Sequence, residues 1–366
     1  EDTRNAPRDP EWREQRGSSG RLVYSQLAAL MSADSPQDAF DSVQPFKART
    51  LAERIGGGGI DEGHSVMTLQ TLQNAILTED EVFLDAYLGP GESILFVVTR
   101  AECRTMAWPD ERALAKKLRL YREMLAAPPR DPVGEGARKA AEAAGARLGE
   151  DLLGDVADLL RTRKRVMLAP DGELNLIPLA VPDHDAVWVR VPSATILGVL
   201  RSRPDKPGGQ GILAAAAAAT PEGQPLPGAV HEVEQLARRF RGVDLRLAAL
   251  QVDDLARYDI LHLATHARVD DQRPWSSEII LDANDPAGRL RAGVIAELDL
   301  KAGLAVLSAC ETGSGRILSG EGVLGITSAF LSAGVPTVVA SLWPVGDRST
   351  TRLMEHFYDE LAAGSD

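Results

Sequence analysis

Two residues, each closing an apolar run, offer this sequence its chemistry. The run "LAVLSAC" (304–310) ends on Cys310, one of two cysteines in the chain, and the glycine-rich "ETGSG" follows it. The run "DILHLATH" (259–266) ends on His266. A cysteine attacks as its thiolate, and an imidazole alongside can take the proton. The same imidazole can then hand that proton to a leaving amine. Acyl transfer also needs backbone N–H donors for the oxyanion, and the amides of Ala267 and Cys310 are the candidates. Glycines in the following loop let the backbone close around an extended substrate. The chemistry suggested is peptide-bond hydrolysis by a His–Cys dyad.

Such a dyad needs two strand ends held side by side. The last third of the chain supplies them. Strands are expected at "GILAAAA" (211–217), 259–266, 304–310 and "PTVVASLW" (336–343). Helices are expected at "AVHEVEQLARRF" (229–240), "GVLGITSAFLSAG" (322–334) and "DRSTTRLMEHFYDEL" (347–361). Near-continuous apolar strands alternating with helices imply a parallel sheet covered on both faces. Reactive groups in such sheets gather at the carboxyl ends of the strands. The alanine run 214–219 is anomalous, because alanine is a poor strand former.

Upstream, "SILFVVTR" (93–100) and "CRTMAW" (103–108) pattern as a hairpin, and "RVMLAP" (165–170) and "AVWVRVPS" (186–193) as strands around a PDG turn at 170–172. Helical spacing marks 110–126 and 136–163. From Arg21 to Leu77 apolar residues recur every three or four positions, interrupted by the flexible joint "IGGGGIDEG" (55–63), and residues 1–20 are polar. The expected domains are a helical segment 1–78, an N-terminal lobe 79–205 and a catalytic lobe 206–366.

Composition narrows the function classes. A chain of 366 residues with 44% hydrophobic and 25% charged residues suits a globular protein of two lobes. A net charge of −13 argues against direct nucleic-acid binding. No apolar run reaches the ~20 residues of a membrane span. Two cysteines form no disulfide framework and no CxxC zinc pair, so no metal or cofactor is expected and a reducing cytoplasmic setting fits. "GPGES" and "PGGQG" lack the lysine of a phosphate loop and are turns.

The bland readings compete with the dyad. A lone cysteine at a strand end is more often a small buried apolar residue. Cys103 has no histidine context and is structural on this reading. His262 lies four residues before His266, deeper on the same strand face, and is also structural. His64, His184, His231 and His356 show no partner pattern. The spacing favours chemistry: His266 precedes Cys310 by 44 residues, near the ~50 that separates the pair in caspases.

Longer stretches sharpen this. "YDILHLATHA", then "AVLSACETGSG" followed by "GEGVLGITSAFLSAGVPTVVASLWPVGD", resemble the histidine and cysteine strands of the CHAT family of caspase-like cysteine peptidases. "APDGELNLIPLA", "VPSATIL", "LPGAVHEVEQLA" and "LQTLQNAILTEDEVFLDAYLGPGESILFVVT" resemble its upstream landmarks, so the resemblance runs over roughly 68–360. It implies a caspase-like α/β fold: a parallel or mixed sheet with helices on both faces, an N-terminal helical segment and a less regular pseudo-caspase lobe. It implies His266 and Cys310 as the dyad, a protein substrate that can be encoded nearby, and a regulatory tetratricopeptide region or activator. Bacterial defence or programmed cell death is the implied setting. Two departures stand out. Ala267 replaces the usual glycine after the histidine. The chain stops at Asp366, before a further helix and strand seen in relatives, so truncation or cleavage is expected.

A regulated endopeptidase is the first reading, a weakly active pseudopeptidase scaffold the second, and another cysteine acyl-transferring enzyme such as an amidase the third. The substrate groove is expected along residues 341–347, with Ser341, Trp343, Asp347 and Glu311 as candidate binding residues. Asp271 and Glu321 add acidic charge from flanking loops. Ser308 stands where some relatives carry an aspartate, and Arg348 and Arg316 lie farther off. That balance favours a basic or neutral P1 residue over an acidic one.

Overall fold

Helix α1 (Arg21–Ser32) gives way to α2 (Pro36–Val43) at Ser35, whose hydroxyl accepts the Asp38 amide at 3.2 Å while Pro36 fills the first helical position. Helix α3 (Arg49–Ile55) follows, and a turn at Leu69–Thr71 widens into a π-helical segment, Leu72–Ile76. The computed structural model describes the chain apart from residues 1–20, 56–65, 127–134, 180–185, 204–208, 210, 220–222, 224, 248–249, 271–272, 283–284, 286–287, 310–315, 319–321, 344, 346 and 365–366. The chain divides into two units, Glu1–Arg203 with Ile317–Gly322, and Pro204–Arg316 with Val323–Asp366.

The first unit is built on a five-stranded mixed sheet, β1 (Glu81–Tyr87), β2 (Ser93–Val98), β3 (Cys103–Trp108), β4 (Arg165–Ala169) and β5 (Val187–Arg190), in the order β3-β2-β1-β4-β5. β1 to β3 are antiparallel, and β4 and β5 run parallel to β1. All seven residues of β1 are buried, so no polar alternation marks it in the sequence. Its successive side chains serve opposite faces. Val82, Leu84 and Ala86 pack with Leu114 and Leu118 of α4 (Glu111–Ala126), Leu152 of α5 (Glu135–Leu153) and Leu160 of α6 (Ala157–Arg161). Phe83 and Tyr87 pack with Phe40 of α2, Leu72 and Leu197 of α7 (Ala194–Ser202). The helix expected over 136–163 breaks into a 3-10 turn at Gly154–Val156, and Ser193 stops the strand expected to 193 by capping α7.

Two buried acids anchor this unit. The Glu81 carboxylate takes Arg201 at 2.6 Å and Arg165 at 3.1 Å. Burial alone would raise its pKa, but the Arg201 and Arg165 guanidinium groups and the Thr78 amide hold it down at about 2. Asp85 takes the Lys47 ammonium at 2.5 Å and the Gln44 amide at 2.7 Å. Lys47 also donates to the carbonyls of Ala86 and Ala169, each at 2.8 Å. One buried ammonium thereby closes the carboxyl ends of the parallel pair β1 and β4.

The second unit carries a seven-stranded sheet. Its parallel members are β6 (Ile212–Ala216), β7 (Val243–Arg246), β8 (Ile260–Arg268), β11 (Leu304–Ala309) and β14 (Thr337–Ala340), in spatial order β7-β6-β8-β11-β14. β9 (Glu278–Ile280) and β10 (Arg289–Arg291) form an antiparallel hairpin on the far half of β8. Helices α8 (Pro227–Arg239) and α10 (Asp347–Ala363) cover one face around Ala214, Ala216, Ala264 and Val306. The alanine run thus has a physical account. Ala214 to Ala217 are fully buried, and side chains this small let α8 lie close on the sheet.

The helix expected over 322–334 is shorter. Gly322–Leu324 (β13) pairs with Arg316–Leu318 (β12), and α9 covers only Ile326–Ser332. Gly325 separates the two at φ +138°, a backbone conformation that favours glycine.

Candidate functional site

Six residues of β8 register in parallel on β11, and the last pair is Thr265 with Ala309. His266 follows Thr265 within β8, and its side chain is half-buried. Cys310 follows Ala309 in sequence and lies outside the described residues, as do Glu311, Asp271 and Glu321. Ala267 is half-buried in β8, opposite Ile279 of β9. β14 registers on β11 through Ala340 and Leu307, and Ser341 follows at the same carboxyl edge. Ser341 and Trp343 are half-buried, and Asp347 opens α10 with its side chain outside the described residues. The second unit therefore brings His266 and Ser341 to one edge of a parallel sheet, with the end of β11 between their strands.

The strand segment bearing His266 is clamped on both sides. Before it, the buried Thr265 hydroxyl donates to the Ile280 carbonyl. After it, Arg268 donates to the buried Glu278 carboxylate at 2.9 Å. Arg291 reaches the same carboxylate at 3.2 Å and Arg289 at 3.6 Å. A carboxylate shared by three guanidinium groups fixes the hairpin against the end of β8.

Beneath this edge lies a buried polar cluster that sequence reasoning did not find. His262 is fully buried, and its Nδ1 is 2.7 Å from the Tyr358 hydroxyl of α10. Burial and the nearby Glu232 charge push the Tyr358 phenol up. On its other side, His262 Nε2 lies 2.9 Å from Glu232 Oε1 of α8. Despite that distance, neither of these two atoms makes an aligned hydrogen bond among the described residues. The contact is one of charge and dipole. Glu232 Oε2 accepts the Ser308 hydroxyl of β11 at 3.2 Å. One signal was available: Glu232 shares the apolar stripe of α8 with Ala229, Val233 and Leu236, and an acid on a buried stripe needs a partner.

Cys103 begins β3 half-buried, and burial with the charges of Asp41 and Asp85 pushes its thiol up to about 12. Such a thiol is inert at neutral pH. Among the described residues no group of three or more His, Cys, Asp or Glu side chains gathers as a metal site. No described helix is long and apolar enough to cross a membrane.

Comparison with known proteins agrees with this architecture. A family model described as the CHAT domain matches residues 140–366. Over 75 residues the chain is 35% identical to tetratricopeptide repeat protein 28 of Mus musculus and 33% identical to that of Homo sapiens. Those stretches span 20% of this chain and 3% of each relative. The separase–securin complex of Saccharomyces cerevisiae contains a chain similar in structure, with a TM-score of 0.64 at 10% identity, over 97% of this chain and 34% of that one. That likeness is one of fold, and the fold is caspase-like.

Proposed function

The chain belongs to the CHAT domain family, and from that premise we propose that it is a regulated cysteine endopeptidase with His266 and Cys310 as its dyad. The observation that carries the reading is the pairing of Thr265 with Ala309 at the carboxyl ends of adjacent parallel strands. His266 and Cys310 are the next residues in sequence after that pair. Cys310 attacks the scissile carbonyl as thiolate, and His266 takes its proton and returns it to the leaving amine. The amides of Ala267 and Cys310 hold the oxyanion. Water then hydrolyses the thioester, with His266 as base.

The substrate is a protein in this reading, met in bacterial defence or controlled cell death within a reducing cytoplasm. Residues 1–78 form the end of a regulatory region ahead of an N-terminal lobe at 79–205 and a catalytic lobe at 206–366. Ser341, Trp343, Asp347 and Glu311 line the substrate groove and select a basic or neutral P1 residue. A P1-varied fluorogenic peptide library tests both claims. Cleavage that disappears in Cys310→Ala supports the dyad, and preferred cleavage after aspartate contradicts the pocket.

Ala267 favours a second reading, a pseudopeptidase scaffold, because its methyl group stands where relatives have glycine. An activity-based thiol probe separates the two: a scaffold leaves Cys310 unlabelled.

A further inference from the structure

Glu232, His262, Tyr358 and Ser308 form a buried cluster that the dyad chemistry above does not use. Glu232 is 4%, His262 0% and Tyr358 1% exposed. Burying a carboxylate is costly unless it is paired, and among the described residues this one is held by a single aligned hydroxyl and an unaligned imidazole. Its place is informative. Ser308, the hydroxyl it holds, precedes Cys310 by two residues, and two residues of chain span at most about 7 Å. His262 shares a strand face with His266, because alternate residues of a strand point the same way.

We propose that Glu232 is a positioning residue for the dyad: its carboxylate ties α8 to Ser308, two residues before Cys310 in sequence, lies 2.9 Å from His262 of β8, and supplies a fixed negative charge. The proposal rests on the His266–Cys310 reading. A negative charge there favours the protonated form of both dyad members, so it raises the pH at which the thiolate forms and the pH at which the imidazolium is lost. The dyad's working range is thereby moved upward. Among the described residues of α8 and α10, Glu232 is the buried charge; Arg238, Arg352, His356 and Glu360 are exposed, and Glu234 is half-buried at 3.9 Å from Arg238. On α8 and α10, Arg239 pairs with Asp359 at 3.0 Å and His231 lies 3.7 Å from Glu355, both at the surface. On β7, Arg246 pairs with Asp244 at 2.8 Å. On β6, Ala214 to Ala216 bring no charge, and beyond His266 the Glu278 carboxylate of β9 is shared by Arg268 of β8 and Arg289 and Arg291 of β10.

The test follows the rate of Cys310 alkylation by iodoacetamide against pH, read by mass spectrometry on the peptide carrying Cys310. Glu232→Gln keeps the volume and still accepts from Ser308 while losing the charge. It should lower the alkylation midpoint by at least roughly 0.3 pH units, the order of a Coulomb effect over about 10 Å under bulk screening. Ser308→Ala leaves the charge and removes the donor that offsets it, so it should raise the midpoint. A role confined to packing would alter thermal stability and move neither midpoint. An unchanged or raised midpoint in Glu232→Gln overturns the proposal. If Glu232→Gln does not fold, an unchanged or lowered midpoint in Ser308→Ala overturns it. Failure of the dyad itself looks different, because Cys310 in the unsubstituted chain would then show an ordinary thiol midpoint that His266→Ala does not move.

Discussion

Two sheets in this chain end in different ways. In the first unit, the carboxyl ends of the parallel pair β1 and β4 are sealed by Lys47, whose ammonium donates to Asp85, Ala86 and Ala169. In the second, β8 and β11 run side by side to Thr265 and Ala309, and the half-buried His266 follows. The buried charges differ in the same sense. Lys47 and Asp85 are engaged from several sides, whereas Glu232 and His262 meet at 2.9 Å without an aligned hydrogen bond. A parallel sheet offers its strand ends for chemistry. Whether it is used depends on what fills the end, and in the first unit a lysine from the turn between α2 and α3 fills it.

The largest effect should come from the β8–β11 end. His266→Ala and Cys310→Ala should each lower peptide turnover by at least about 10³-fold with little change in stability. Comparable losses from Lys47→Met at unchanged folding would erase the distinction between the two sheet ends. That substitution should act on stability instead. It strands Asp85 in a buried site, where burial already pushes the carboxyl up against the pull of Lys47. Breaking a buried pair costs about 3–5 kcal/mol, measurable by denaturant unfolding, and the double change Lys47→Met with Asp85→Asn should restore part of it.

Glu81 sharpens the structural side through pH. Its folded pKa of about 2 lies below the ordinary value of 4.5. A depressed acid stabilises the fold fully above about pH 4.5 and loses that contribution as pH falls toward 2. Glu81→Gln should therefore flatten the acid limb of the unfolding profile while leaving neutral-pH peptidase activity intact. The smallest effect is expected at Ala267. Restoring glycine should raise turnover by about two- to five-fold if the methyl group crowds the oxyanion, and unchanged turnover would clear that residue.

β8 and β11 were legible because each is a near-continuous apolar run between helical stretches. β1 was hidden by complete burial, which removes the alternation that marks a strand at a sheet surface. The β9–β10 hairpin was hidden by its length, three residues on each side, too short for any periodicity. His262 read correctly as a buried residue, but its partners did not appear, since Glu232 and Tyr358 come from helices 30 residues before and 96 residues after it. Long-range polar pairing leaves little local trace. An acid on an apolar helical stripe is the trace it left here.

The dyad is tested most directly by asking which thiol reacts. The full chain and its His266→Ala variant are treated with iodoacetamide between about pH 6.5 and 7.5, and labelling of the two cysteines is followed by mass spectrometry. Cys103, with its thiol pushed up to about 12, should stay unlabelled while Cys310 reacts, and His266→Ala should slow Cys310 by at least about ten-fold. Labelling of Cys103 first, or a Cys310 rate that His266→Ala leaves unchanged, would contradict the account.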